Sequence, residues 1–346
     1  MQSVPAVPGG SSLPLTTQHD YSLEELMGFT VMYWNRATDD VYDVIRSELP
    51  AGWTLITPQK ETPDGCRGQL READFLLAAV WDIGEEELRA APKLKMVQHQ
   101  GVGHEKFDKA ALKARGIPLA ICPAGTTVGV AEHTILLILA VYKRLVMADT
   151  GLRQGKWLQW ELRSSSFELA GKTLGLLGFG RIGQAVAQRA HAFGTEILYH
   201  DPYLKERPAA VATCGAREVS LSELLRLSDI VSLHVPTTEE TRRLMSSPQF
   251  EQMKRSAILI NTSRGVHVDE PALIKALQAR TIAGAGLDVF EQEPTPPDNP
   301  LLRMENVIVT PHISAGTVDA LREKMRSVFA NLQRFAQGQP IHDRVA

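Results

Sequence analysis

The segment Thr173 to Asp201 leaves the chain few choices of fold. An apolar run, Thr173 to Leu177, enters Gly178-Phe179-Gly180-Arg181-Ile182-Gly183. A helix-like stretch, Gln184 to Phe193, follows, and a second apolar run, Glu196 to Tyr199, leads to Asp201. Strand, glycine turn, helix, strand and terminal acid in that register make a βαβ unit, which belongs in a parallel sheet. Each part also answers a need of a bound dinucleotide. Gly178 permits the turn, Gly180 lets the backbone approach a pyrophosphate with no Cβ in the way, and Gly183 lets the helix lie against the strand. The first-turn N–H groups around Arg181 and Ile182, with the positive end of the helix dipole, would meet the phosphates. Asp201 can accept hydrogen bonds from an adenine-ribose diol, and its charge would repel a phosphate there. The motif predicts NAD.

A chain of 346 residues suggests two domains with ample core. The formal net charge of −3 gives no electrostatic reason to expect a nucleic acid or an anionic membrane as partner. Cys66, Cys122 and Cys214 are scattered without CxxC spacing, so neither a disulfide framework nor a metal site is expected, and a reducing, cytoplasmic setting is favoured. Met1 to Gln18 lacks the basic start and apolar core of a secretory signal and reads as part of a flexible tail over residues 1–20. The most apolar run, Ile135 to Val141, is too short to span a bilayer and reads as a buried helix.

Before the glycine motif, strands are expected at Thr30–Trp34, Trp53–Thr57, Ala73–Val80, Lys95–His99 and Ile117–Ile121, with helices at Thr38–Leu49 and Glu85–Ala90. Pro123-Ala124-Gly125 breaks that pattern, and a long helix, Thr126 to Leu145, opens with Thr126 as a plausible cap. After the motif, strands at Ile230–Val235, Ala257–Asn261, Ala283–Asp288 and Val307–Thr310 alternate with helices at Leu221–Leu227, Gln249–Met253 and Glu270–Ala279. A final amphipathic helix, Thr317 to Phe335, would return to the first domain. The expected fold is α/β with two doubly wound parallel sheets: a Rossmann NAD-binding domain, residues 124–313, inserted into a flavodoxin-like substrate domain made of 21–123 and 314–346.

Three side chains follow strands of the second domain: Arg264 after Asn261-Thr262-Ser263, Glu293 after Asp288-Val289-Phe290, and His312 after Val309-Thr310-Pro311. In a parallel sheet those ends share one edge with the cofactor. Reduction of a 2-oxo acid needs a cation for the carboxylate, a proton donor for the carbonyl oxygen and a hydride donor. Arg264 can supply the first by bidentate pairing and His312 the second. Glu293 would orient the imidazole and favour its charged form.

These residues carry a resemblance. Gln100-Gly101-Val102-Gly103, Val130-Ala131-Glu132-His133, the glycine motif with Asp201, His234-Val235-Pro236, Asn261-Thr262-Ser263-Arg264-Gly265, Asp288-Val289-Phe290 through Glu293-Pro294, and Thr310-Pro311-His312-Ile313 together resemble the D-isomer-specific 2-hydroxyacid dehydrogenase family. The resemblance implies an NAD-dependent oxidoreductase interconverting a 2-oxo acid and its D-2-hydroxy acid, with Arg264, Glu293 and His312 catalytic. It implies that the Val102 and Gly103 amides bind the substrate carboxylate beside Arg264 and His312, and that Asp288 contacts the nicotinamide amide. It further implies a cofactor lining of Thr262, Ser263, Arg264, Ser314, His312 and the His234-Val235-Pro236 segment. Homodimers joined through the cofactor domain are implied, with Ile135 to Val141 in the buried face.

The chain also departs from that pattern. Phosphoglycerate-type members tend to carry arginine where this chain has Trp81-Asp82-Ile83, so a small unphosphorylated acid such as glyoxylate or hydroxypyruvate is expected. Trp81 would either pack on substrate or plug a hinge. His99 and His104 are expected at the surface beside the carboxylate loop, and His267 is expected to be structural. Phosphoglycerate oxidation and an NAD-sensing corepressor on the same fold are the alternative readings.

Overall fold

The computed structural model describes residues 28–104, 106–204 and 209–346, so the expected tail lies outside the described residues. The chain divides into two compact units, one of residues up to Pro123 with Arg322–Ala346, the other Ala124–Leu321. The second unit thus runs past the expected boundary at residue 313. Ser314 stays with it because its N–H and hydroxyl both bond to Asp288.

The first unit holds strands β1 (Thr30–Trp34), β2 (Thr54–Ile56), β3 (Phe75–Ala78), β4 (Met96–His99) and β5 (Leu119–Ala120) in the order β2-β1-β3-β4-β5, all parallel. The second holds β6 (Thr173–Leu177), β7 (Glu196–His200), β8 (Arg217–Glu218), β9 (Ile230–Leu233), β10 (Ile258–Asn261), β11 (Gly284–Leu287) and β12 (Val307–Val309). Their order is β12-β11-β10-β9-β6-β7-β8, again all parallel. These are the flavodoxin-like order and an extended Rossmann order. Sheets covered on both faces need strands apolar on both faces, and β9, β10 and β11 are buried along their whole length. Each fully buried Leu or Ile there contributes about 2–3 kcal/mol through burial.

The helix Thr127–Tyr142 decides where several polar side chains end up. Its apolar residues run right round it, with Val130, Ala131, Ile135, Leu137, Ile138 and Val141 all buried. It lies close to β11 because that strand reads Gly-Ala-Gly-Leu. A Cβ on Gly286 would come within 3.0 Å of Leu137 Cβ and 2.9 Å of Ile260 Cδ1.

Three expectations need correction. The helix expected to run to Leu145 ends at Tyr142, and a separate helix covers Leu145–Arg153. Arg144 breaks the run with φ 52°, and residues with a Cβ rarely continue a helix through that conformation. Thr126 does not cap the first of these helices; its hydroxyl turns back to Ala124 O at 3.5 Å. The Ile135–Val141 run is consumed by its own core, leaving Leu136, 49% exposed, as the one large side chain of that run at the surface. Shorter elements escaped the sequence reading, among them the helices Lys109–Ala114 and Ala209–Cys214 and the edge strand β8. Their runs are too short to show a period.

Candidate functional site

The glycine turn is anchored from both sides. Gly178 sits at φ +91°, and a Cβ there would strike the His234 carbonyl at 2.5 Å, so no other residue fits. Phe179, inside the motif, is fully buried and stacks on Tyr199 with ring centroids 4.2 Å apart. Its N–H donates to Asp201 Oδ2 at 2.8 Å, while Tyr203 N–H donates to Oδ1 at 3.1 Å. Asp201 thus stitches the turn to the end of β7, and a carboxylate accepting one bond per oxygen keeps lone pairs for a diol.

The following helix begins at Arg181, earlier than the sequence indicated, with Gly180 as its cap residue. No side chain caps that end, so the first-turn N–H groups keep no intrahelical partner. A Cβ built on Gly180 would meet nothing within 4 Å. An open, backbone-lined cradle with donors at a helix start and an acid at the next strand end fits an NAD pyrophosphate and ribose.

On the neighbouring strand, His234 Nε2 lies 2.9 Å from Ser232 Oγ, and burial of the ring pushes its pKa down to about 3. The ring is therefore a neutral imidazole.

Arg264 leaves β10 through a braced loop. Asn261 Nδ2 donates to Arg264 O at 2.9 Å, and Asn261 Oδ1 accepts from Ser263 N–H and Oγ–H at 3.1 and 2.8 Å. Since the Ser263 hydroxyl donates there, it accepts from His267 Nδ1–H at 2.9 Å; the other ring nitrogen faces Thr237 Oγ1 at 3.3 Å. His267 is fully buried, and burial, helped by the charges of Arg264 and Arg242, pushes its pKa down to about 4. It is therefore a neutral strut between the Arg264 loop and the segment after Pro236.

His312 and Glu293 form a pair, Nδ1 to Oε2, at 2.6 Å. Phe290 N–H donates to the other carboxylate oxygen at 3.0 Å. Burial works against the charge on Glu293. The bonds from His312 and Phe290 and the charges of His312 and Arg264 outweigh that cost, holding its pKa below the usual carboxylate range. A carboxylate can only accept, so His312 Nδ1 carries a hydrogen. Nε2 is left to give a proton in the imidazolium form and take one back in the neutral form. The trio expected from the sequence thus shares one electrostatic neighbourhood.

Asp288 is enclosed by the loop that carries His312. Its side chain has no exposed surface. Oδ1 accepts from Thr310 Oγ1 at 2.5 Å and Ile313 N–H at 2.9 Å, and Oδ2 from Ser314 N–H at 2.9 Å and Ser314 Oγ at 2.5 Å. That fills the acceptor capacity of a carboxylate, about four bonds. Those four bonds make it shape the loop carrying His312. Thr262, 6% exposed, donates to Thr134 Oγ1 at 3.0 Å, because the Thr134 hydroxyl is committed to Val130 O at 2.8 Å.

In the first unit, Gln100-Gly101-Val102-Gly103 follows β4. Tyr33 donates to Gln100 Oε1 at 3.3 Å, and Val102 is exposed. His99, expected at the surface, is buried: Nδ1–H donates to Ala78 O at 3.1 Å and the ring packs edge-on against Phe107. Phe107 and the close approach of Gly101 to the ring leave His99 8% exposed. His104 is half-buried. Trp81 packs edge-on against the fully buried Trp34, centroids 5.1 Å apart, and Trp34 Nε1 donates to Asp82 O at 3.0 Å. Trp81 is therefore partly buried against the core of its own unit.

His267 is structural, as expected, whereas the packing of Phe179 and the contacts of His133 escaped the sequence reading. Only the aromatic residue inside the glycine motif carried a local signal.

Residues 135–314 match the profile of a family described as D-isomer specific 2-hydroxyacid dehydrogenase, NAD binding domain. A glyoxylate reductase of Korarchaeum cryptofilum is 43% identical over 274 residues, 78% of this chain and 82% of that protein. A D-3-phosphoglycerate dehydrogenase of Archaeoglobus fulgidus is 39% identical over 264 residues, 76% of this chain and 49% of that protein. Among solved structures, the apo form of D-lactate dehydrogenase from Escherichia coli superposes with a TM-score of 0.82 at 27% identity, covering 92% of this chain and 99% of that one. Among the described residues no helix is long and apolar enough to cross a membrane.

Proposed function

Because the chain belongs to the D-isomer-specific 2-hydroxyacid dehydrogenase family, and so is an NAD-dependent oxidoreductase of 2-oxo and 2-hydroxy acids, we propose that it reduces a small unphosphorylated 2-oxo acid, glyoxylate or hydroxypyruvate, to the D-hydroxy acid. The observation that carries the mechanism is the His312–Glu293 pair at 2.6 Å. In the second unit, Arg264 is the cation for the substrate carboxylate and His312 Nε2 the proton donor to the carbonyl oxygen. Glu293, kept ionised, holds the ring by Nδ1 and stabilises the imidazolium until the proton leaves. In the first unit, the Val102 and Gly103 amides are carboxylate donors. Gly178, Gly180, Arg181, Ile182, Gly183 and Asp201 hold the pyrophosphate and ribose, and His234 to Pro236, Thr262, Ser263 and Ser314 line the remainder. Bound NADH supplies the hydride. One 2-oxo acid, one NADH and one proton give one hydroxy acid and one NAD, so each pH unit of acidification favours reduction about tenfold.

The choice of an unphosphorylated acid is supported by the loop after β3, which carries Trp81 and the exposed Asp82 and no cation. Glyoxylate reductases among the relatives support the same choice. The phosphoglycerate dehydrogenases among them keep 3-phosphohydroxypyruvate as the second reading. The test is NADH consumption with glyoxylate, hydroxypyruvate, pyruvate, phenylpyruvate and phosphohydroxypyruvate at equal concentration. Fastest turnover of glyoxylate or hydroxypyruvate is expected. Turnover confined to the phosphorylated acid overturns the substrate reading, and a silent panel with tight NADH binding supports a sensor instead.

The working form is proposed to be a cytoplasmic homodimer joined through the second unit. Trp157, Trp160 and Leu152 are 72%, 66% and 59% exposed, and Leu136, Leu145 and Val146 are also exposed. A concentration of large apolar side chains over the helix Leu145–Arg153 and its following loop is what a second copy would cover.

A further inference from the structure

We propose that His133 and Thr310 are positioning residues for the proton donor, acting through Asp288; the inference rests on the role of His312 proposed above. His312 has φ 53°, a conformation that residues with a Cβ avoid unless their surroundings impose it. One bond within the turn, His312 N–H to Thr310 O at 3.1 Å, is local. Beside the bond of the ring to Glu293 and that of Thr310 N–H to Leu287 O, the hold comes largely from Asp288. Its backbone carbonyl accepts His312 N–H at 2.8 Å, and its carboxylate grips Thr310, Ile313 and Ser314 on either side. Asp288 thus spans the whole loop, and the rotation of its carboxylate sets where the His312 backbone lies.

That rotation is referenced to another element. The Thr310 hydroxyl donates its only hydrogen to Asp288 Oδ1, so at 2.9 Å from His133 Nε2 it must accept, and His133 carries its hydrogen on Nε2. His133 Nε2 also lies 3.5 Å from Asp288 Oδ1. The ring stands on the helix Thr127–Tyr142, which touches the same loop again at its other end, where a Cβ on Gly129 would come within 2.9 Å of Ser314 O. The helix therefore meets the loop at Thr310 and at Ser314, on both sides of the strained histidine. The connection runs from helix to His133, to Thr310, to Asp288, to the His312 backbone, and so to the imidazole held by Glu293. Neither His133 nor Thr310 needs to touch substrate. Their task is to keep Nε2 within the narrow range in which proton transfer accompanies hydride transfer, where a displacement of about 1 Å costs on the order of a hundredfold.

The test uses Thr310→Val, which keeps shape and removes the hydroxyl, and His133→Phe, which removes the ring N–H. Thr310→Ser and His133→Gln restore the lost groups, and His312→Asn is the control. Each is assayed with glyoxylate or hydroxypyruvate, whichever the parent reduces faster, for kcat, KM, NADH Kd by fluorescence, thermal midpoint and the primary isotope effect with 4-deuterated NADH. Thr310→Val and His133→Phe are expected to lower kcat about 10- to 100-fold and raise the isotope effect. KM and NADH Kd are expected to move less than about threefold, and the serine and glutamine variants to recover to within about threefold of the parent. Parental kcat in Thr310→Val and His133→Phe beside an inactive His312→Asn overturns the positioning role alone. A loss that tracks NADH affinity and thermal midpoint, and that the serine and glutamine variants do not rescue, overturns it too. If Thr310→Val does not fold, His133→Phe decides. Full turnover by His312→Asn removes the proton-donor reading and the positioning role with it.

Discussion

His312 Nδ1 and Glu293 Oε2 lie 2.6 Å apart although the two residues come from the ends of different strands. The shared hydrogen fixes the ring's tautomer, and with it which nitrogen is offered for chemistry.

Replacing His312 by Asn is therefore expected to lower kcat for 2-oxo acid reduction by about 10²- to 10⁴-fold while NADH binds within about twofold of the parent. Glu293→Gln keeps a hydrogen-bond acceptor and loses the charge, so a smaller loss, about 10- to 100-fold, is expected. Steady-state rates with NADH fluorescence titration check both. Glu293→Gln more damaging than His312→Asn would contradict the assigned roles.

Asp201 is expected to set the cofactor preference. Asp201→Asn keeps an oxygen for Phe179 N–H and removes the charge that opposes a 2′-phosphate. Like-charge repulsion in such a site costs a few kcal/mol, so the NADPH-to-NADH ratio of kcat/KM is expected to rise about 100-fold. Parallel initial-rate measurements with the two cofactors give that ratio directly.

His267 predicts a direction for acid sensitivity. Its folded pKa of about 4 lies below the ordinary value of 6.5, so between those limits the unfolded chain binds the extra proton. Its neutral form is fully favoured above pH 6.5, and stability falls as pH drops from there towards 4. The full contribution of such a shift is about 3 kcal/mol. Thermal unfolding across that pH range is expected to show a gap between parent and His267→Gln that narrows with acidification; a constant gap would mean that His267 does not titrate this way.

The exposed apolar face predicts an assembly. Leu152→Glu combined with Val146→Glu is expected to convert a dimer into a monomer in sedimentation velocity, with little change in secondary structure by circular dichroism. A parent that sediments as a monomer at assay concentration would remove the dimer reading.

Much of the architecture was written in local pattern. Thr30–Trp34 and Thr173–Leu177 are apolar runs, and Glu85–Ala90 starts with three glutamates suited to a helix N-terminus. Such segments declare themselves without tertiary help. The candidate trio was legible because each member closes a strand, and strand ends in a parallel sheet face one way. What could not be read depends on partners distant in sequence. His133 meets Thr310 across 177 positions, and Asp288 is enclosed by residues that follow it by about a strand and a turn. His99 misled because a polar residue beside a glycine loop reads as exposed, whereas Phe107 and the turn at Gly101 close over its ring. The break at Arg144 gave no sign either, since no glycine marks its left-handed turn.

The absence of a side chain at Gly286 has a reach beyond packing. The gap it leaves sets how deep one helix sinks onto the sheet, and that depth sets where His133 stands. A single methyl group added at Gly286 is expected to press on Leu137 and Ile260, lift the helix and, on the proposal above, act on turnover as a shim acts on an aligned instrument. Layer spacing is thereby expected to be a tuning variable for the reaction, adjustable from within the sheet.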